Sequence, residues 1–490
     1  MGAHISDIRH HCGLVGFWGV PDAAKKTYYA LQALQHRGQE SAGVVASDRS
    51  RIRSKKGLGL VSEAIRPRDL VPLAGDIAIG HVRYSTTGTQ RIQNIQPLVI
   101  EYSQGIVAIG HNGNLTNART IRADYEARGS IFQTSTDSEA FVHLMADPRN
   151  LATPDPLGAA LREVRGSFAV VLMTRDRLIA ARDRLGFRPL SIAKLGSGWM
   201  VASETCAFDL FDAEHVRDVD PGEIVEFGEK RGSGEEKGSD PLTARGSDPF
   251  SSPFLSSRRF APPPQKLAQC VFEHIYFARP DSRVFGRSVH KVRYRLGEIL
   301  AKEHPVDADI VIAIPDSGNS AAMGFAQASG LRLDRGFIRN YYVGRTFIMP
   351  GERSSTVELK LNVVREAVQG KRVVVVDDSI VRGTTSRARL KSLRSAGARE
   401  LHFRISAPPI RHGCYFGIDF PDPAKLVAAN RTVEQVRDYL GVDSLGYTSV
   451  DGLLDAVSGT RNEFCTACFT GEYPEKVEED MDKQAMERRT

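Results

Sequence analysis

The chain has 490 residues, 41% hydrophobic and 25% charged, globular proportions that exclude wholesale disorder and suit two or three domains with separate cores. Sixty-five Lys and Arg against 59 Asp and Glu leave a net charge of +6, too dilute to predict a nucleic-acid partner. No run of about 18 apolar residues predicts a membrane partner, and the opening MGAHISDIRHHC has no apolar stretch of a secretory signal, so a cytoplasmic protein is expected.

In chain order, the first reactive side chain is Cys12, in HHCGLVGFWG, followed directly by an apolar strand. A Cys at such a place is ordinarily core. KTYYALQALQHRG (26–38) has helical spacing and stops on Gly. The runs at 105–115, 168–183 and 222–228 read as strands joined by tight turns, predicting an α+β layer fold with antiparallel sheets. Between these runs lie polar, Gly-rich segments: HRGQESAG (36–43), GHVRYSTTG (80–88), HNGNL (111–115) and TDSE (136–139). They supply guanidinium, amide and carboxylate groups suited to holding an amino acid and an oxyanion. Cys206, in ASETCAFD, has no partner motif and is expected in the core.

Residues 229–264 are rich in Gly, Ser, Pro and charge, carry GSDP twice, and read as a flexible linker or surface insertion. Beyond them the rhythm changes. ADIVIAI (308–314) precedes PDSG (315–318) and a helical pattern; KRVVVVDDSIVRGTTSRARLKSLRSAG (371–397) repeats the plan, and LHFRISA (401–407) returns to strand. Apolar strands alternating with helices predict a parallel sheet covered on both faces, with ligands at the carboxyl ends of its strands. In DDSIVRGTTS two carboxylates, Asp377 and Asp378, end the strand, and a Gly loop bearing Ser379, Thr384, Thr385 and Ser386 runs into a helix. Such a loop suits a phosphate, and the acid pair suits sugar hydroxyls or hydrated Mg²⁺. The charged stretch from Gly471 onward reads as a frayed tail or surface helix.

Six Cys are too few for a disulfide framework. Cys465 and Cys468 form C-x-x-C, and Cys270 and Cys414 lie far off in sequence. The spacing is compatible with redox chemistry, zinc, an iron–sulfur cluster or no site at all.

The segment 373–386 resembles the phosphoribosyl-pyrophosphate (PRPP) motif of type I phosphoribosyltransferases. That resemblance implies that Asp377 and Asp378 hold the ribose hydroxyls and that Ser379, Arg382, Gly383, Thr384, Thr385 and Ser386 take the 5-phosphate. It implies also that PDSG is the pyrophosphate loop, with Ser317 near Mg²⁺ beside Asp377 and Asp378, and that Lys360, in KLN (360–362), reaches the pyrophosphate from a flexible loop. The first half resembles the glutaminase domain of N-terminal-nucleophile class II amidotransferases. By that likeness residues 1–11, including His10 and His11, are a propeptide, and Cys12 becomes a nucleophile whose own amine is its base. Asn112 and Gly113 then form the oxyanion hole, Arg83 and Asp137 bind the glutamine carboxylate and amine, and Arg37 and Thr86 shape the pocket.

Joined in this order, the halves are similar to the amidophosphoribosyltransferases, and the segments flanking the four Cys resemble the cluster-bearing members. The implied fold is an αββα N-terminal-nucleophile hydrolase domain (12–228), the linker (229–264), an α/β type I phosphoribosyltransferase domain with a mainly parallel sheet (265–474) and a charged tail (475–490). The implied activity is glutamine-dependent amination of PRPP to 5-phosphoribosylamine, the first step of purine synthesis. Implied too are Mg²⁺, a 4Fe–4S cluster on Cys270, Cys414, Cys465 and Cys468, feedback by purine nucleotides, and a homotetramer or dimer. Glu358 stands where relatives commonly carry Arg, and Arg184 where Pro is expected. A PRPP-sensing regulator would not need Cys12 and would be expected to add a basic extension, which this sequence lacks. A glutaminase serving another sugar phosphate would need an isomerase-type domain, against which DDSIVRGTTS argues.

Overall fold

The computed structural model describes residues 12–84, 92–229, 253–339, 361–420 and 423–477. Residues 1–11, read above as a propeptide, Thr86, most of the segment read as a linker, Glu358, Lys360 and the tail beyond 477 lie outside these. The chain divides into two compact units, one built on the first half through Gln269, together with Tyr415–Ile418 and the chain from Glu475, the other on Cys270–Cys414 with Asp419–Pro474.

The first unit holds two antiparallel sheets. One runs Glu214–Asp218, Ser191–Leu195, Gly198–Ala202, Gly13–Trp18, Ile77–Arg83, Ser41–Ser47, Ile52–Leu58. The other runs Pro253–Arg259, Glu223–Glu229, Leu178–Arg182, Gly166–Met173, Gly105–Leu115, Leu98–Tyr102. Alternation along the strand explains the layering. In Gly13–Trp18, Leu14 and Trp18 point into a core shared with Ala169, Val171 and Phe227 of the second sheet. Val15 and Phe17 point the other way, onto the helix Ala23–Ala33. The second sheet covers its outer face with Ala118–Ala127, Glu139–Ala146 and Pro156–Glu163. The result is the expected αββα stack.

Two expectations need correction. The linker read over 229–264 is shorter, because Glu229 ends one strand and Pro253–Arg259 pairs with that strand along its whole length. This is the outer strand of its sheet, with Ser256, Ser257 and Arg259 exposed, and so it lacks the apolar alternation that identifies a strand with one face in the core. The tail read from Gly471 is held in place at its start: Tyr473 donates to the Gly413 carbonyl at 2.7 Å, and Glu475 accepts from Gly166 N–H at 3.0 Å. Arg184, the unexpected Arg, lies 3.6 Å from that same Glu475 carboxylate.

The second unit is built on a five-stranded parallel sheet, Arg332–Leu333, Ile310–Ala313, Arg372–Asp377, Glu400–Ile405, Ser444–Tyr447. Its central residues Val373–Val376 are wholly buried, as a strand covered on both faces requires. Helices Val289–Glu303, Asn319–Ser329 and Thr384–Ser395 belong to the same unit. A two-stranded ribbon, Phe337–Arg339 with Leu361–Val363, flanks residues 340–360.

Candidate active sites

In the first unit the nucleophile stands at a strand entrance. Gly13 lies opposite Val82, which sets Cys12 at the level of Arg83. The helix Ala23–Ala33 is followed by a tight turn, Gln35–Arg37, that turns the Arg37 side chain back so that its Nε donates to the Cys12 carbonyl at 3.2 Å. Cys12 is 9% exposed, and burial pushes its thiol up to about 12; Arg83 opposes that shift, Asp137 adds to it, and Arg37 and Arg188 oppose it.

The strand Gly105–Leu115 brings Asn112 and Gly113 into the same unit. Asn112 is buried, and among the described residues its side-chain Nδ2 has no hydrogen-bond acceptor. A buried donor in that state is suited to an anionic oxygen. Gly113 adopts φ +150°, and a Cβ there would stand 2.1 Å from the Ser167 carbonyl oxygen, so only Gly fits. Asp137 is fixed by Leu115 N–H, which donates to its Oδ2 at 2.9 Å. The histidines here are poor bases. Burial pulls His81 down to about 3 and also lowers His111, despite the neighbouring Asp137.

Two participants escaped the sequence reading. Arg188 is wholly buried, donates to the Phe416 carbonyl, and exerts its charge on Cys12. It lies in RDRLGFRPL, whose one visible oddity was Arg184. Glu204 pairs with Arg37, both side chains being fully buried. Cys206 is buried, as expected, yet its Sγ donates to Glu204 Oε2 at 3.7 Å.

In the second unit the loops bearing Ser317 and Asp377–Ser386 leave the same ends of neighbouring parallel strands. Ala313 pairs with Val376, and Ile314 N–H donates to the Val376 carbonyl at 2.8 Å. Asp377 and Asp378 are 3% and 5% exposed. Burial raises the Asp377 carboxyl well above its ordinary value, and the adjacent Asp378 raises it further. Arg389, on the following helix, lies 3.7 Å from Asp377 Oδ2 and acts in the opposite direction. Ser379 donates to Asp378 Oδ2. Gly383 adopts φ +78° and turns the loop into the helix Thr384–Ser395. Thr384 and Arg382 are exposed, Ser379 and Thr385 half-buried, and Ser386 buried. The first N–H groups of that helix have no intrahelical acceptor and suit an anion. Arg339, at the base of the ribbon, reaches Asp316 of the PDSG loop at 2.5 Å, a tie that the sequence did not suggest.

Cys270, Cys414, Cys465 and Cys468 are all free thiols. Burial raises the Cys468 thiol well above its ordinary value, and Cys465, Cys414 and Cys270 each add to the shift, so these chain-distant residues are electrostatic neighbours. Among the described residues no group of three or more His, Cys, Asp or Glu is arranged to hold a metal ion. Among them, too, no helix is long and apolar enough to cross a membrane.

A glutamine amidotransferase domain family matches residues 81–209. The chain is 46% identical to amidophosphoribosyltransferase 2, chloroplastic, of Arabidopsis thaliana, covering 97% of this chain and 81% of that protein. It is 42% identical to the amidophosphoribosyltransferase of Bacillus subtilis (strain 168), covering 98% and 97%. Among solved structures, one described as the allosteric regulatory enzyme of purine biosynthesis matches with a TM-score of 0.87 at 41% identity, covering 97% of this chain and 99% of that one. The glutamine PRPP amidotransferase from B. subtilis complexed with ADP and GMP matches with a TM-score of 0.85 at 42% identity, covering 96% and 98%. With identity and coverage of this order over both units, the chain belongs to the amidophosphoribosyltransferase family.

Proposed function

We propose that the protein transfers the amide nitrogen of glutamine to C1 of PRPP, giving 5-phosphoribosylamine, glutamate and pyrophosphate, the first step of purine biosynthesis. The observation that carries this reading is the presence, in one chain, of a buried Cys12 thiol on which Arg83, Asp137, Arg37 and Arg188 act, and of a buried acid pair leading through a Gly turn into a helix.

The thiol of Cys12 attacks the side-chain carbonyl carbon of glutamine, and the resulting oxyanion accepts from Asn112 Nδ2 and Gly113 N–H. The tetrahedral species expels ammonia and leaves a thioester, which water hydrolyses to glutamate and the free thiol. A thiol held near 12 gives up its proton only as it attacks, so a base must stand beside it. Removal of residues 1–11 would supply one, since the α-amine of an N-terminal Cys12 titrates near about 8. Arg83 and Asp137 bind the glutamine carboxylate and amine, and Arg37 and Thr86 complete the pocket.

In the second unit Asp377 and Asp378 hold the ribose hydroxyls, and the loop Ser379–Ser386, with Arg382 and Gly383, binds the 5-phosphate. Ammonia attacks C1 with inversion, the C1–O bond to pyrophosphate breaks, and the amine gives up a proton. Ammonia passes between the sites without mixing with solvent, because at neutral pH free ammonia is nearly all protonated and no longer nucleophilic. Two adjacent buried carboxylates with Ser317 nearby suit Mg²⁺, which supplies charge neutralisation for the leaving pyrophosphate, as does Lys360.

Cys270, Cys414, Cys465 and Cys468, electrostatic neighbours in the fold, would hold a 4Fe–4S cluster, which the resemblance to cluster-bearing relatives favours over zinc. Purine nucleotides are the proposed feedback ligands and a homotetramer or dimer the proposed assembly.

Cys12→Ala tests the separation of the sites. It is expected to abolish glutamine-dependent synthesis while synthesis from concentrated ammonia continues; loss of both would contradict two sites. Protein purified without oxygen is expected to be brown, with about four irons per chain, and Cys465→Ser to lose most of that iron. Colourless, zinc-loaded protein would overturn the cluster.

A further inference from the structure

The segment Ser203–Cys206, of which sequence placed only Cys206 in the core, is hydrogen-bonded through Ser203 to the nucleophile strand. Ser203 Oγ accepts from Leu14 N–H at 3.0 Å, and Ser203 N–H donates to the Leu14 carbonyl at 3.0 Å. The next residue, Glu204, accepts from Arg37 Nη1 through Oε1, while His36 Nε2 lies 2.7 Å from the same oxygen. Cys206 Sγ donates to the other carboxylate oxygen. Arg37 in turn donates from Nε to the Cys12 carbonyl. A continuous chain of contacts therefore runs from Glu204 through Arg37 to the main chain of the reactive residue.

We propose that Glu204 is a positioning residue for glutamine hydrolysis: by holding the Arg37 guanidinium it fixes the main chain of Cys12 and hence the line along which the thiol meets the substrate carbonyl. The inference rests on the assignment of Cys12 as the glutaminase nucleophile. Stability alone is a poor account of the pair, because a fully buried ion pair roughly breaks even against apolar residues of the same volume. Its geometry has a more direct reading. Nη1 is occupied by Glu204 and Nε by the Cys12 carbonyl, so the planar guanidinium is fixed at two points and its orientation is set.

The test measures glutamine hydrolysis and ammonia-driven synthesis by the full-length protein. Glu204→Gln is expected to lower kcat for glutamine hydrolysis by about 10²-fold, the scale of a misplaced reacting group. KM for glutamine is expected to rise by far less than kcat falls, since Arg83 and Asp137 bind the charged ends of the substrate while Arg37 only borders the pocket. Ammonia-driven synthesis is expected to match wild type. Ser203→Ala, which keeps the ion pair and removes only the acceptor of Leu14 N–H, is expected to lower the same kcat by about tenfold. Glu223→Gln serves as control, since it breaks an ion pair with Arg217 in the same unit, away from the Cys12 contacts. Unchanged kcat in both the Glu204 and Ser203 variants would overturn the proposal. So would a parallel fall of both activities, or an equal kcat loss in the control. Failure of the underlying assignment shows separately, as wild-type protein without glutaminase activity or a Cys12→Ala variant that retains it.

Discussion

Cys12 sits 9% exposed, with the charges of three guanidiniums, Arg37, Arg83 and Arg188, acting on it, whereas in the second unit Arg382 and Thr384 of the phosphate loop stand in solvent. The contrast follows from what each substrate brings. An amide is neutral, so the charge that develops on its oxygen must be met by donors already in place, the role proposed for the Asn112 amide, without an acceptor among the described residues, and for the conformationally fixed Gly113. PRPP arrives fully charged, so its site needs an open rim of N–H and hydroxyl donors and a pair of acids. Burial and the adjacent Asp378 both push the Asp377 carboxyl above its ordinary value, so the acid pair disfavours charge on Asp377 when no cation is near.

Three perturbations sharpen that contrast. The largest effect is expected from replacing Asp377 and Asp378 together with Asn. Synthesis from either nitrogen donor should fall by about 10³-fold, the scale of two lost charged hydrogen bonds, with Cys12-dependent glutamine hydrolysis surviving at its basal rate. Product and glutamate assays run on the same samples check this. Asn112→Ala should do the reverse, costing glutamine-dependent turnover about 10²-fold and leaving ammonia-dependent turnover intact. An equal loss in both assays would mean that Asn112 shapes the fold rather than the oxyanion site.

The smallest effect concerns pH. His81 is buried and held near 3 in the native state, against an ordinary value of 6.5. The unfolded chain therefore binds the proton more tightly between those values, and the first unit loses stability as pH falls below about 6.5, by up to about 1.4 kcal/mol per pH unit. Thermal unfolding from pH 7 to pH 4 should show a shallower decline for His81→Gln than for wild type. Parallel curves would mean that other groups govern acid lability.

Legibility in the sequence follows the same division. The second candidate site is local: strand, acid pair, Gly turn and helix lie within one stretch, so reading 373–386 gave the strand–loop–helix that the structure contains. The first site is assembled from segments far apart in the chain. Cys12, Arg83, Asn112 and Asp137 were assigned through family likeness, while the buried Arg188 and Glu204 were passed over because nothing in a sequence marks a charged residue as buried. Cys206 of ASETCAFD was expected in the core and is buried, but the buried carboxylate of Glu204 beside it in the chain was passed over. The strand Pro253–Arg259 was hidden for a related reason, since an outer strand with polar residues has the composition of a linker. Four Cys separated by up to 198 positions could be counted but not grouped until the fold made them neighbours.

The central claim, that one chain couples glutamine hydrolysis to amination of PRPP, is tested most directly by following glutamate and pyrophosphate release together, with and without PRPP and Mg²⁺. The account predicts equal yields of the two products and strong stimulation of glutamate release by PRPP. Glutamate released at the same rate without PRPP, and no pyrophosphate, would contradict it and leave a glutaminase serving some other acceptor.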